Sequence, residues 1–255
     1  VGDAARLSVV KVGGSVLTGR EAYRDIAGVL AAHRRERPGA IVAVVSAARG
    51  VTDALSDDAT HLAGGSGVDP AALDLLWSTG ELQSVARLTL ALAAQGVAAT
   101  PLAVHEVGLR RRAAAAGGAA SARIVCNPLA VLTALARAPV VVAPGFLALE
   151  GGRVVTIGRG GSDWSAVQLA IGLGAARCDL IKDVDGFFTA DPHVDAAARL
   201  MPHLSHDEAI AMAAAGCPLV QRQALEAARD AGLDLVIRSI RSSGTHVGGT
   251  HGLRH

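Results

Sequence analysis

The chain has 255 residues, 51% of them hydrophobic but only 2% aromatic, so it is long enough to bury a substantial core that Ala, Val and Leu must build. Its net charge of +1, with no long basic stripe or aromatic-interleaved patch, excludes the usual footprint of a nucleic-acid binder. The three cysteines, Cys126, Cys178 and Cys217, have no CxxC spacing, which argues against a disulfide framework or a zinc site.

A β-branched run at 7–12 opens the pattern, and a helical period follows over 21–37. Next come a strand at 41–46, helices at 51–63 and 70–95, and a strand at 98–103. The segment 110–122 begins with three arginines and passes into an Ala/Gly run, which predicts a mobile loop or frayed helix. Arg110, Arg111 and Arg112 read as a solvated charge cluster, with anion binding as the alternative. A helix at 127–136 and a strand at 140–143 follow, then a hairpin over 147–157 turned by Gly151 and Gly152. The remaining pattern is a helix at 163–172, a strand at 179–182, helices at 205–215 and 221–231, and a strand at 235–238. Short apolar strands alternating with Ala/Leu-rich helices predict an α/β fold with a mainly parallel sheet. One domain spanning 1–255, in two lobes, is expected. No basic and apolar leader precedes the first strand and no apolar run reaches membrane length, so a cytoplasmic protein is expected. The histidines read as surface or loop residues, and the tail around His246, His251 and His255 as disordered.

Four strand-to-helix turns carry chemical potential. In Lys11-Val12-Gly13-Gly14-Ser15, a lysine ends a strand and two glycines follow, so backbone amides can approach phosphate oxygens; a simple tight turn is the alternative. The order is neither Walker A nor GxGxxG. Val45-Ser46-Ala47-Ala48-Arg49-Gly50 closes the second strand with small residues that allow a ligand against the backbone. Gly158-Arg159-Gly160-Gly161-Ser162-Asp163 is the most specific, because helix capping by Ser162 or Asp163 requires neither Arg159 nor three glycines. The turn from Lys182-Asp183 to Asp191-Pro192 carries three acids, a cation and the Phe187-Phe188 pair, which suits a nucleotide lying on an apolar wall.

With these turns in this order, and Ser78-Thr79-Gly80-Glu81 between them, the sequence resembles the amino-acid kinase family, and most of all the catalytic domain of aspartokinases, from about residue 9 to 241. The resemblance implies a three-layer αβα sandwich, with the acceptor in the lobe of about 1–145 and ATP in that of about 146–255. It implies an ATP- and Mg²⁺-dependent kinase that phosphorylates a carboxylate, with L-aspartate as substrate and 4-phospho-L-aspartate as product. Small molecules are then the partners, no nucleic acid or membrane is expected, and a homodimer is. Lys11, Asp163 and Lys182 are the implied catalytic group. Ser46, Glu81, Phe146, Arg159 and Ser162 would line the acceptor pocket, with Arg159 gripping a carboxylate and Glu81 meeting the ammonium. Lys11, Gly13, Gly14, Ser15, Lys182, Asp183, Phe188, Asp191, Pro192 and His193 would lie along the nucleotide, and no dedicated protein metal site is implied. A carboxylate acceptor is already ionised near neutral pH, so no strong general base is required.

The sequence departs from that family pattern in several places. His193 stands where Arg is usual and Pro218 where Lys is frequent, while Lys182 replaces Thr. Lys182 is therefore expected to supply the second cation to the ATP phosphates, a structural ion pair being the alternative. The altered segment around 110–122 opens a rival reading, another small acid or a phosphorylated acceptor. The changes at His193 and Pro218 open a third, a non-catalytic binding subunit. The chain ends soon after its last predicted strand, so the paired regulatory domains of aspartokinases, and feedback control through them, are expected to be absent.

Overall fold

The valine-rich runs pair with one another in the computed structural model, which describes residues 7–112, 123–158, 160–192, 194–217 and 219–249. The strands in chain order are β1 (Leu7–Val12), β2 (Ala40–Val45), β3 (Ala99–Pro101), β4 (Leu109–Arg112), β5 (Arg123–Cys126), β6 (Val140–Pro144), β7 (Leu147–Glu150), β8 (Arg153–Thr156), β9 (Arg177–Ile181), β10 (His203–Leu204), β11 (Asp234–Arg238) and β12 (Thr245–Val247). The helices are α1 (Arg20–Glu36), α2 (Val51–Ala63), α3 (Pro70–Ala94), α4 (Val104–Val107), α5 (Leu129–Leu135), α6 (Gly161–Leu173), α7 (His206–Ala214) and α8 (Arg222–Ala231).

Eight strands form the main sheet in the order β10-β12-β11-β9-β1-β2-β6-β3, parallel throughout except where β12 runs against β11. Strand periodicity splits its side chains between two cores. Val9, Val42, Val44 and Val141 pack with Ala166, Val167, Leu169 and Ala170 of α6 and with Ala224, Leu225 and Ala228 of α8. Val10, Val12, Ala43 and Val45 pack with Tyr23, Ile26 and Leu30 of α1 and with Val85, Leu88 and Leu92 of α3. The two layers of helices on one sheet are the expected αβα sandwich. Each fully buried Val or Leu contributes about 1.5–3 kcal/mol, so valine and leucine compensate for the scarcity of aromatic rings.

Local signals fix the helix ends. Asp69 caps α3, its carboxylate accepting from the amides of Ala71 and Ala72, with Pro70 at the first helical position. Ser205 and Glu208 form a capping box at α7, so this helix starts one residue after its expected boundary. Among the described residues, no helix is long and apolar enough to cross a membrane.

A second sheet, ordered β5-β4-β7-β8, corrects the reading of the arginine-rich segment. Arg110, Arg111 and Arg112 lie in a strand paired with both β5 and β7, and residues 113–122 of the expected loop lie outside the described residues. Arg111 is no solvated charge: its guanidinium makes a two-pronged contact with Glu150, at 3.1 and 2.7 Å, and a third bond to the Thr156 carbonyl. Thr156 in turn donates its hydroxyl to Asp74 of α3 at 2.8 Å. The β7–β8 hairpin turns at Gly151 and Gly152, both with positive φ, as the sequence predicts.

The short strands β10, at the sheet edge, and β12, between it and β11, have no counterpart in the predicted pattern, because two or three residues carry no readable period. His246 lies in β12 and not in a disordered tail, while His251 and His255 lie outside the described residues.

Candidate active site

β1, β2, β6 and β9 run in one direction, so the turns that follow them leave the sheet along one rim. Backbone bonds carry the strand register into these turns. Gly13 N–H donates to Ile181 O at 2.9 Å, Ser46 N–H to Val12 O at 3.2 Å, Gly145 N–H to Val45 O at 2.8 Å and Lys182 N–H to Arg238 O at 2.8 Å. With β2 on one side of β1 and β9 on the other, β1 is the point at which the strand order reverses, where open α/β sheets leave a crevice. A cavity of about 860 Å³ lies there.

Lys11 and Lys182 project into this cavity from the ends of β1 and β9, and Asp163 meets them from the first turn of α6. The Lys11 ammonium is 2.8 Å from Asp163 Oδ1 and the Lys182 ammonium 2.8 Å from Oδ2, so one buried carboxylate holds two cations. Burial pushes the Asp163 carboxyl up, but Lys11 and then Lys182 outweigh it and hold the group at about 2. Burial lowers the pKa of Lys11, with the Asp163 charge opposing it. With both ammonium groups protonated, the three buried side chains together carry one net positive charge.

Gly14 and Ser15 line the cavity beside Lys11. Gly14 has no room for a side chain, since a Cβ would lie 2.4 Å from the Ala47 carbonyl. Gly13 departs from its predicted role, because its amide is committed to Ile181 and it stands outside the cavity lining. Asp183 accepts from the Ser15 hydroxyl at 2.9 Å and pairs with Arg49 at 2.9 Å. Partial burial raises the Asp183 pKa, yet these partners, Ser15 foremost, bring it below the ordinary range.

The other wall comes from α3, the turn between β6 and β7, and the start of α6. Glu81 is 3% exposed; its Oε1 accepts from the Ala47 amide at 3.2 Å, and its Oε2 has no partner among the described residues. Burial, only partly offset by the Ala47 bond, pushes its carboxyl up to about 7. Ser46 and Ser162 line the same space, as does Phe146, whose φ of 66° is the only positive value at a non-glycine among the described residues. Such a conformation persists where the surroundings enforce it, frequently at ligand sites. The Phe146 ring lies 6.0 Å from that of Trp77, which is anchored by an indole N–H bond to Ser56. Trp77 and Gln221 also line the cavity without a motif of their own, and Arg49 joins them from the second turn, which the sequence marks by its small residues and not by its cation.

The structure thus gathers Lys11, Gly14, Ser15, Ser46, Glu81, Phe146, Ser162, Asp163, Lys182 and Asp183 around one space. Phe188, Asp191 and Pro192 are not in its lining. They belong to a folded excursion after β9, in which Phe188 bridges Leu200 and the Asp191 carbonyl accepts the amides of Val194 and Asp195. Arg159, His193 and Pro218 lie outside the described residues. Arg110 lines a separate cavity of about 460 Å³ with Arg137 and His105, so none of the three consecutive arginines borders the main site.

Comparison with known proteins agrees with this architecture. The sequence model of the amino acid kinase family matches residues 6–239. An aspartokinase from Thermus thermophilus is 35% identical over 239 residues, which covers 91% of this chain and 56% of the relative; the chain spans about half the length of the curated relatives it matches. The crystal structure of aspartate kinase from Synechocystis superposes with a TM-score of 0.82 at 32% identity, covering 95% of this chain and 40% of that one. Aspartokinase III of E. coli, in complex with aspartate and ADP, gives a TM-score of 0.76 at 25% identity over 97% of this chain and 65% of its own. By sequence match and by fold, the chain belongs to the amino acid kinase family.

Proposed function

We propose that this chain transfers the γ-phosphoryl group of ATP to the side-chain carboxylate of L-aspartate, giving ADP and 4-phospho-L-aspartate. The observation that carries this reading is the pairing of two opposite binding environments in one cavity: two ammonium groups on Asp163, and the buried, half-satisfied carboxylate of Glu81. The first environment suits phosphate oxygens and the second an α-ammonium group. A solved relative with aspartate and ADP bound supports the same choice of substrates.

In this reading the acceptor's ammonium completes Glu81, Ser46 and Ser162 bound its polar end, and Phe146 with Trp77 forms the apolar wall. The acceptor carboxylate oxygen bonds to the γ-phosphorus as the bond from phosphorus to the β–γ bridging oxygen breaks, and ADP leaves. No proton has to be removed from the attacking group. Lys11 and Lys182 neutralise charge on the phosphoryl oxygens, and Asp163 fixes both ammonium groups before substrate arrives, so alignment and electrostatics carry the reaction. Arg159 is the proposed grip on the acceptor's carboxylate, and Phe188, Asp191, Pro192 and His193 are proposed for the more distant parts of the nucleotide. The acceptor side of the cavity is assigned to the lobe of about 1–145 and the nucleotide side to that of about 146–255.

Among the described residues, no three His, Cys, Asp or Glu side chains cluster as metal ligands. Mg²⁺ in kinase sites is held chiefly by phosphates and water with one or two carboxylates, and Asp183, partly exposed at the rim, is the carboxylate suited to assist. Bound there, Mg²⁺ would neutralise phosphate charge.

An ADP-release assay over a panel of acceptors, including aspartate, glutamate, other small acids and phosphorylated acids, tests the proposal. Turnover with aspartate that disappears in Lys11→Ala is the expected outcome. Turnover with a different acid reassigns the acceptor, and binding of Mg-ATP without ADP release from any acid makes the chain a non-catalytic subunit.

A further inference from the structure

One side chain at the phosphate end of the cavity has no place in the chemistry described so far. Arg49 follows β2 in the turn Ser46 to Gly50, and its guanidinium reaches across to two other turns. Nε and Nη2 donate to the Ser15 carbonyl at 3.2 and 2.9 Å, and Nη2 also donates to Asp183 Oδ2 at 2.9 Å. The Arg49 amide is fixed as well, donating to the Leu17 carbonyl at 3.2 Å. A single cation therefore joins the ends of β1, β2 and β9 on the side of the cavity where Lys11, Gly14 and Lys182 lie.

The pair it forms is an exposed one, with side-chain accessibilities of 57% for Arg49 and 49% for Asp183. Exposed ion pairs contribute little, because water competes for both charges and the long side chain loses rotamer freedom. A phosphate group competes well for such a guanidinium, since the planar fork matches its oxygens and the bond is charge-assisted at both ends. The remaining charges favour the exchange. Lys11, Lys182 and Asp163 leave one net positive charge for a polyphosphate, whereas Arg49 is neutralised by Asp183 while the nucleotide is away.

We propose that Arg49 is a third phosphate-binding cation, held on Asp183 in the free protein and transferred to a phosphate oxygen of the nucleotide on binding, which frees the Asp183 carboxylate to face the cation that accompanies the phosphates. This rests on the kinase reading above. The Ser15 carbonyl contact remains through the exchange, so the guanidinium needs only to pivot.

The test measures the Kd of Mg-ATP by calorimetry, the KM of each substrate and the Tm, for wild type, Arg49→Gln, Arg49→Lys and Arg49→Gln in an Asp183→Asn background. Arg49→Gln is expected to weaken Mg-ATP by about tenfold, the effect of one charge-assisted contact, with Tm and acceptor KM unchanged, and Arg49→Lys to recover part of the loss. The tenfold effect should persist in the Asp183→Asn background. Unchanged Mg-ATP affinity, or a loss confined to Tm, overturns the proposal and leaves Arg49 as a tie between turns. An effect that vanishes in the Asp183→Asn background also overturns it, since Arg49 would then act only by neutralising that carboxylate. A wild-type protein that binds no Mg-ATP sinks the kinase reading itself, and this inference with it.

Discussion

Glu81→Gln tests the proposed acceptor site most directly, because the burial that makes Glu81 costly in the free protein is what would make it useful to a bound ammonium group. Its carboxyl is 3% exposed and pushed by burial from 4.5 to about 7. At about 1.4 kcal/mol per pH unit, that rise corresponds to roughly 3 kcal/mol of folding stability. The sign follows from the raised value: the stability is complete below about pH 4.5, where both folded and unfolded states are protonated, and is lost as pH rises through about 7. Glutamine keeps an oxygen for the Ala47 amide and never ionises, so the variant should be the more stable protein at pH 8. For a chain of this size the gain is up to roughly 6–12 °C in Tm, with little difference at pH 5. Catalysis should move the other way. Acceptor KM should rise at least tenfold, by loss of a charge-assisted bond to the ammonium, while Mg-ATP affinity stays put. In the wild type, acceptor KM should climb as pH falls below about 7, and in the variant that climb should be absent. Thermal melts from pH 5 to 8 together with acceptor titrations decide the matter. A variant with the wild-type Tm profile and an unchanged acceptor KM refutes the reasoning.

Three further substitutions probe the phosphate end. Asp163→Asn leaves two buried ammonium groups without their shared counter-charge and should cost about 3–5 kcal/mol by denaturant unfolding; because its pKa is held at about 2, the stability it gives is present above about 3.8 and lost as pH falls through 2, an acid-side loss the variant should not show. Lys182→Ala should lower kcat by tenfold or more, the value of one charge-assisted contact, with Lys182→Arg retaining part of it; a kcat equal to wild type with only a reduced Tm would leave Lys182 a structural ion pair. Gly14→Ala drives a methyl group against the Ala47 carbonyl, so calorimetric melting should show a loss of about 1–3 kcal/mol and ADP release a lower turnover; a variant melting with the wild type would show that the two turns do not meet as closely as described.

How much of this was legible in the residues follows from the length over which each signal extends. Strands β1, β2 and β6 are runs of five or six residues dominated by valine, and α2 and α3 carry period and end signals, so they emerge within a residue or two of their expected bounds. The glycine-rich turns were readable because backbone approach to a ligand demands particular residue types at adjacent positions. What local pattern does not encode is pairing across the sheet. Arg110, Arg111 and Arg112 have the composition of a solvated segment, and only β5, β7 and Glu150, 39 residues away, make them a strand. Arg49 stands in a turn that the sequence marks, but its partners, the Ser15 carbonyl and Asp183, 134 residues on, do not show there. Gly13 shows the opposite failure: the right residue type in the right motif, with its amide already taken by a neighbouring strand.

The bond from Thr156 to Asp74 has a consequence for how this site can be retuned. Asp74 lies seven residues before Glu81 on α3, close to two helical turns, so the hairpin grips the same stave of the helix that bears the acceptor-facing carboxylate. The hairpin base is thus tied to the helix that bears Glu81, while the ammonium pair on Asp163 is anchored separately, in the main sheet and α6. Under the proposed roles, substitutions at the hairpin base have a route to the acceptor end of the cavity that does not pass through the lysines of the phosphate end.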